Sequence, residues 1–182
     1  IMTPLVFKDE LRPLVHHKNS QGLSTKLVTL PQVYQQMYWY GRDHAEKIKY
    51  FIKTAREVWG IRYVLLVGGR SSQFSPTWYC PVRYVSMVDD WDVGYLSDLY
   101  FADIYDENGN FSSWDSDNDG LYGEWYIGET AQDVDMDLTP DVAVGRLPCR
   151  SQREVRIMVS KIIAYETTTF NQPWFSKMLV VA

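Results

Sequence analysis

Hydrophobic positions near the start of the chain recur at helical intervals. Phe7, Leu11, Leu14 and Val15 stand three or four residues apart or adjacent, as one face of an α-helix requires. That pattern predicts a helix through Gln21, with Gly22 as its stop. Residues 1–3 ahead of it read as the end of a strand, and residues 26–30 as a short buried strand. Pro31 then opens a helical turn that reaches Met37. Asp43, with Glu46 three residues on, is a capping-box-like start. The helix behind it carries Ile48, Phe51, Ile52, Ala55 and Trp59 on one face and ends at Gly60. Residues 63–67 (YVLLV) are continuously apolar and run into Gly68-Gly69. An unbroken run of that length belongs to a strand covered on both faces. The order βαβαβ predicts an α/β fold, doubly wound, with a mostly parallel sheet and flanking helices.

Residues 70–140 break this rhythm. They are rich in Asp, Gly, Ser, Tyr and Trp and show few helical or strand periods. Such a stretch inside a domain predicts a long irregular insertion with a functional or metal-organised role. The rhythm then returns. Residues 142–145 (VAVG) read as a strand, and Ser151 with Glu154 as a second capping box. Val155, Met158, Val159, Ile162 and Ile163 form the apolar face of a helix through Glu166. Residues 178–182 read as the start of a last strand. The 182 residues fit a single domain, 1–182, that carries the 70–140 insertion. It begins and ends inside expected strands and does not start with Met, so a piece of a longer chain is expected. No apolar run approaches the roughly 20 residues of a membrane span, and the first residues lack a secretory signal pattern.

Charge changes the picture more than composition does. The net charge of −5 conceals sixteen Asp or Glu and no Lys or Arg between Asp89 and Asp141. The remainder of the chain holds all 18 basic residues and seven acids, so 18 − 7 leaves +11 there. A folded segment carrying −16 repels itself unless cations or basic neighbours compensate. It also repels phosphates, which argues against a nucleic-acid partner.

The acids have a pattern. Residues 115–124 read DSDNDGLYGE, with carboxylates at Asp115, Asp117 and Asp119 and then Gly120. Alternating acids at positions 1, 3 and 5 before a turn glycine form the opening half of a calcium loop. The carbonyl of Leu121 is the next expected ligand. An EF-hand would place Glu at position 12, where Tyr126 stands, so Glu124 is expected to close a shorter loop. Asp106, Asn108 and Asn110 repeat the alternation with weaker ligands, and Asp98 and Asp103 are further candidates for a second site. The bland reading of either string is a solvated acidic turn.

Candidates for catalysis are weak. The histidines are His16, His17 and His44, and the cysteines are Cys80 and Cys149. His16 and His17 are helix neighbours about 100° apart and cannot share a ligand site. A nucleophile pair would have to join Cys80 or Cys149 to one of these histidines, yet neither cysteine sits in a Gly-rich turn or at a helix start, apart from Cys149 two residues before the Ser151 cap, and two cysteines make no disulfide framework. Gly68-Gly69-Arg70-Ser71 follows a strand but lacks the spacing of a phosphate-binding loop. No catalytic residue is assigned within the chain.

Five strings in order resemble the gingipain-type cysteine peptidases: residues 63–68 (YVLLVG), 97–103 (SDLYFAD), 114–124 (WDSDNDGLYGE), 141–148 (DVAVGRLP) and 161–166 (KIIAYE). The likeness runs from the helix with His17-Lys18 to the final strand. It departs at Gly68-Gly69, where members of the family often have Gly-Asp. The resemblance implies a three-layer, caspase- or Rossmann-like subdomain, the N-terminal and non-catalytic half of a catalytic unit. It implies that the active-site Cys and His lie beyond residue 182, in a C-terminal subdomain through which polypeptide substrates are cut. It also implies calcium stabilisation and a secreted or cell-surface setting. The rival expectation is a stand-alone, calcium-stabilised binding or adhesion module. Its contact surface would be Trp78, Tyr79, Trp91, Tyr95, Trp114 and Trp125.

Overall fold

The computed structural model describes residues 1–72, 74–88, 93–126, 133–169, 171–178 and 180. The helix starts are built by the side chains that announce them. Asp43 accepts the Glu46 N–H at 2.8 Å, and the Ser151 hydroxyl accepts the Glu154 N–H at 3.2 Å. Capping of this kind satisfies amides that have no partner inside the helix. Helix α1 spans Lys8–Ser20 and follows a 3-10 turn, Leu5–Phe7. Helices α2 (Leu30–Gln36), α3 (His44–Trp59) and α4 (Gln152–Thr168) complete the set among the described residues. α3 stops at Gly60, whose φ of +64° suits a residue without a Cβ.

The strands are β1 (Met2–Thr3), β2 (Val28–Thr29), β3 (Tyr63–Val67), β4 (Tyr84–Val88), β5 (Val93–Leu96), β6 (Trp125–Tyr126) and β7 (Ala143–Leu147). β2 is shorter than its apolar run. Thr29 already serves α2, donating its amide and hydroxyl to Gln32 Oε1 at 2.9 and 2.8 Å. Four strands form one all-parallel sheet in the order β2-β1-β3-β7. β3 and β7 pair over five residues, from Tyr63↔Ala143 to Val67↔Leu147.

Alternation along β3 separates the two cores. Val64 and Leu66 join Ile48, Phe51, Ile52 and Ala55 of α3. Leu65 and Val67 face Phe7, Leu11 and Leu14 on one side of the chain's start and Val155 and Val159 of α4. Helices therefore cover both faces, and the doubly wound expectation holds.

The 70–140 stretch is less irregular than its composition suggests. β4 and β5 pair antiparallel (Tyr84↔Leu96, Val85↔Tyr95), and β6 lies parallel to β4. A 3-10 turn spans Asp98–Phe101. These elements are too short to show a period. They are also part of the core: Tyr100, Phe101, Ile104 and Trp114 are buried in the α3-side cluster. Of the strand expected at 178–182, positions 179, 181 and 182 lie outside the described residues. Met178 and Val180 are exposed and belong to no strand.

Candidate functional site

The loop at 115–124 is folded tightly enough to bring its acids together. Trp114, Asn118, Gly120 and Gly123 all have positive φ, at +66, +63, +89 and +64°. The Leu121 N–H donates to Asp119 Oδ1 at 2.7 Å, and the Asp119 N–H to Asp117 Oδ1 at 3.2 Å. Carboxylate oxygens of Asp117, Asp119 and Glu124 lie within 4.8 Å of one another, and so do those of Asp115, Asp117 and Asp133. Asp117 belongs to both groups, so two sets of oxygens adjoin at this residue. Asp117 and Asp119 face solvent, whereas Asp115 and Glu124 are buried.

Asp133 was absent from the sequence-based set. Its Oδ1 accepts the Ser116 N–H at 2.6 Å, and its Oδ2 accepts the Glu124 N–H at 3.0 Å. One carboxylate thus ties the start of the loop to its end. Burial raises the Asp133 carboxyl above the ordinary range, against those same amide hydrogen bonds. The available signal was the alternation Asp133, Asp135, Asp137. Asp135 does a similar job next door, accepting the Ser113 and Trp114 amides at 2.5 and 3.2 Å.

The donor set fits a hard cation. Its side chains offer oxygen only, which suits calcium or magnesium over softer metals. Asp115 Oδ2 is met by Arg42 Nη1 at 2.5 Å, but Asp115 Oδ1 is buried with no hydrogen-bond partner among the described residues. A buried carboxylate oxygen left unmatched is costly, and a cation held beside it would offset that cost.

The weaker alternation upstream is already satisfied. Asp106 Oδ1 accepts the Asn108 and Asn110 amides at 2.9 and 2.8 Å, which is a self-contained turn. Asp98 is gripped by Arg146 through two bonds of 2.7 and 2.8 Å, and Asp103 accepts the Trp114 indole N–H at 2.7 Å.

The family model for peptidase family C25 matches residues 1–182, the whole chain. The chain belongs to peptidase family C25, the gingipain family. Comparison with curated proteins and with solved structures gives no match.

In this C25 chain both thiols are free and buried, Cys80 on the α3 side of the sheet and Cys149 on the other. Burial pushes the Cys80 thiol up to about 11, against the nearby Arg146, and it raises Cys149 as well. That is the wrong direction for a nucleophile. His17 is held by Glu166 at 2.8 Å, and His44 stacks on Tyr34 with ring centres 4.1 Å apart. His16 is exposed. The aromatic contact surface of the rival reading does not form as expected. Trp114 is 3% exposed because its ring packs edge-on against Tyr100 in the core. Trp78 and Tyr79 are half-buried and Tyr95 is exposed. Trp91 lies outside the described residues, as does the side chain of Trp125. No helix among the described residues is long and apolar enough to cross a membrane.

Proposed function

We propose that this C25 chain is the structural N-terminal subdomain of a gingipain-like cysteine endopeptidase, whose active-site Cys and His come from a C-terminal catalytic subdomain beyond residue 182. The family match over residues 1–182 carries the reading. The burial and raised pKa of both thiols support it, since neither is suited to attack a substrate. In the complete enzyme a Cys thiolate attacks the scissile carbonyl of a polypeptide, His moves the proton to the leaving amine, and water releases the acyl group. The task of the present chain is to complete the shared core and buttress that machinery.

Calcium belongs to the same proposal. Asp115, Asp117, Asp119, Glu124 and Asp133 would hold it, with the Leu121 carbonyl as a further ligand. When bound, the ion supplies the positive charge that lets these oxygens share one focus. A calcium-fixed loop suits a secreted or cell-surface enzyme, where free calcium is plentiful.

The test is peptidase activity. The 182-residue chain should show no thiol-dependent cleavage of a protein substrate, and a version carrying the following catalytic half should show it. Alkylation-sensitive cleavage by the 182-residue chain alone would refute the assignment.

A further inference from the structure

Tyr38, Trp39 and Tyr40 form an aromatic tip between α2 and α3, exposed by 66, 88 and 56%. Apolar side chains exposed singly are ordinary, but a contiguous group marks a contact surface. The chain holds this tip at both ends. Ahead of it Met37 is buried in the α3-side core, and the Tyr40 N–H donates to Met37 O at 3.1 Å. Behind it Gly41 has a φ of +77° and is pressed onto α3, where a Cβ would stand 2.8 Å from Lys47 N. Arg42 is then fixed by Glu46, through its amide and its guanidinium, and by Asp115 and Asn118. Tyr40 also leans on Tyr50, with ring centres 5.6 Å apart, and Tyr50 stacks on Phe111 at 4.0 Å. The exposed rings are thus presented in a fixed arrangement, which lowers the ordering cost of binding.

Shape and chemistry narrow the occupant. The Tyr38 and Trp39 rings meet at 88° with centres 4.8 Å apart. Two perpendicular faces make a corner rather than a platform. A pyranose lies flat on one ring face and is obstructed by the second, whereas a proline ring is small enough to touch both. A lipid surface is opposed by the exposed Asp117 and Asp119 of the loop that Arg42 grips, since they repel its phosphates. Residues 30–41 contain no Asp, Glu, Lys or Arg. The tip offers hydrogen-bond donors in the Trp39 indole, the Tyr38 and Tyr40 hydroxyls and the exposed Gln35 and Gln36 amides. Lys47 adds another, 5.7 Å from the Tyr38 ring centre. A proline-rich segment has the matching need: its carbonyls want donors, and its prolines carry no N–H that asks for an acceptor.

We propose that the Tyr38–Trp39–Tyr40 tip is a docking site for proline-rich stretches of polypeptide substrate in the polyproline II conformation. The source of the stretch rests on the proposed peptidase function; the chemistry of the site does not.

The test titrates a fluorescent decaproline peptide with the 182-residue chain and follows anisotropy, beside a Gly-Ser peptide of equal length, maltoheptaose and phosphatidylcholine vesicles. Decaproline should bind saturably and the Gly-Ser peptide should not. Trp39→Ala should weaken binding by about tenfold at an unchanged melting temperature, because the side chain is solvent-exposed. Trp174→Ala, at an exposed tryptophan that packs on Tyr165 of α4, should leave binding intact. Decaproline binding that is absent, or that survives Trp39→Ala, would overturn the proposal. Trp39-dependent binding of maltoheptaose or vesicles in place of decaproline would overturn it in favour of a sugar or a membrane. A second arm uses the version carrying the catalytic half. A proline-rich extension on a protein substrate should lower KM with kcat unchanged, and Trp39→Ala should abolish the gain; an extension that leaves KM unchanged defeats the substrate role. If that version cleaves nothing while decaproline still binds through Trp39, the peptidase assignment fails and the docking site stands.

Discussion

Lys49 is fully buried in the middle of α3, and its ammonium has no hydrogen-bond partner among the described residues. It sits 4.4 Å from the Tyr100 ring centre and 5.5 Å from that of Trp114, where the ring faces attract a cation. Burial pushes it down to about 7, opposed by the charges of Asp103, Asp135 and Glu46. Asp103 is pushed up to about 6 by the same burial, opposed by the Trp114 indole and by Lys49. Each charge offsets part of the other's desolvation. Lys49→Met and Asp103→Asn should therefore be coupled by about 1 kcal/mol, the double variant losing less than the two single costs together. Urea unfolding of the two single variants, the double variant and the parent measures the coupling, and additive costs would disprove it. A pH signature goes with it. Between pH 7 and about 9 the unfolded Lys49 keeps its proton while the folded one gives it up. The unfolded state then binds more protons, so this residue makes stability rise with pH across that window. The rise should shrink in the double variant. An unchanged slope would show that Lys49 is not the titrating group.

At the scale of elements, the ends of β3 and β7 depend on a close backbone approach. The ladder continues past both strands, with Gly68 N–H donating to Leu147 O at 2.9 Å and Gly69 N–H to Cys149 O at 2.8 Å. A Cβ on Gly69 would stand 2.2 Å from the Pro148 carbonyl oxygen. That neighbour is backbone and can move only by parting the strands. Gly69→Ala should therefore destabilise the chain by about 1–3 kcal/mol, read as a lower denaturant midpoint, and a neutral effect would show that the two ends are not held together. Elements that carry a strong local signal were legible in advance. The α3 face, its Asp43 cap and its Gly60 stop follow from side chains within one or two turns, and the apolar run of β3 marks a central strand. β4, β5 and β6 were not legible, because pairing of such short segments is decided by distant partners rather than by a period. The clustering of Asp115, Asp117, Asp119 and Glu124 was legible, since these acids are near neighbours in sequence. Asp133 was missed because it reaches the loop only through tertiary folding, by way of the Ser116 and Glu124 amides.

Across the whole molecule, the acidic insertion is neutralised partly from the basic framework. Arg42 meets Asp115, Arg56 meets Asp141 at 3.0 Å, Arg146 meets Asp98 at 2.7 Å, and the charges of Lys49 and Asp103 attract. Of the two compensations that the charge pattern allows, cations or basic neighbours, the second is therefore met for part of the segment. The expectation of a cation concentrates on the patch where Asp117 links Asp115 and Asp133 to Asp119 and Glu124. Because the acids of this patch share core contacts with α3 through Trp114 and Arg42, an ion held there should stabilise the entire fold and not the loop alone. Calcium at 100 times its dissociation constant adds about 2.7 kcal/mol, which for a chain of this size is a rise of roughly 5–10 °C in Tm. Thermal unfolding with calcium and with excess EDTA should differ by that amount, and Asp117→Asn should shrink the difference while leaving the EDTA curve close to the parent's, because the amide oxygen still accepts the Asp119 N–H. Magnesium should stabilise less, because it demands a tighter octahedron than a patch built on five separate side chains provides. Superimposable melting curves with calcium and with EDTA would mean that Arg42 and the loop amides suffice to hold these carboxylates, and the metal would have no place in the fold.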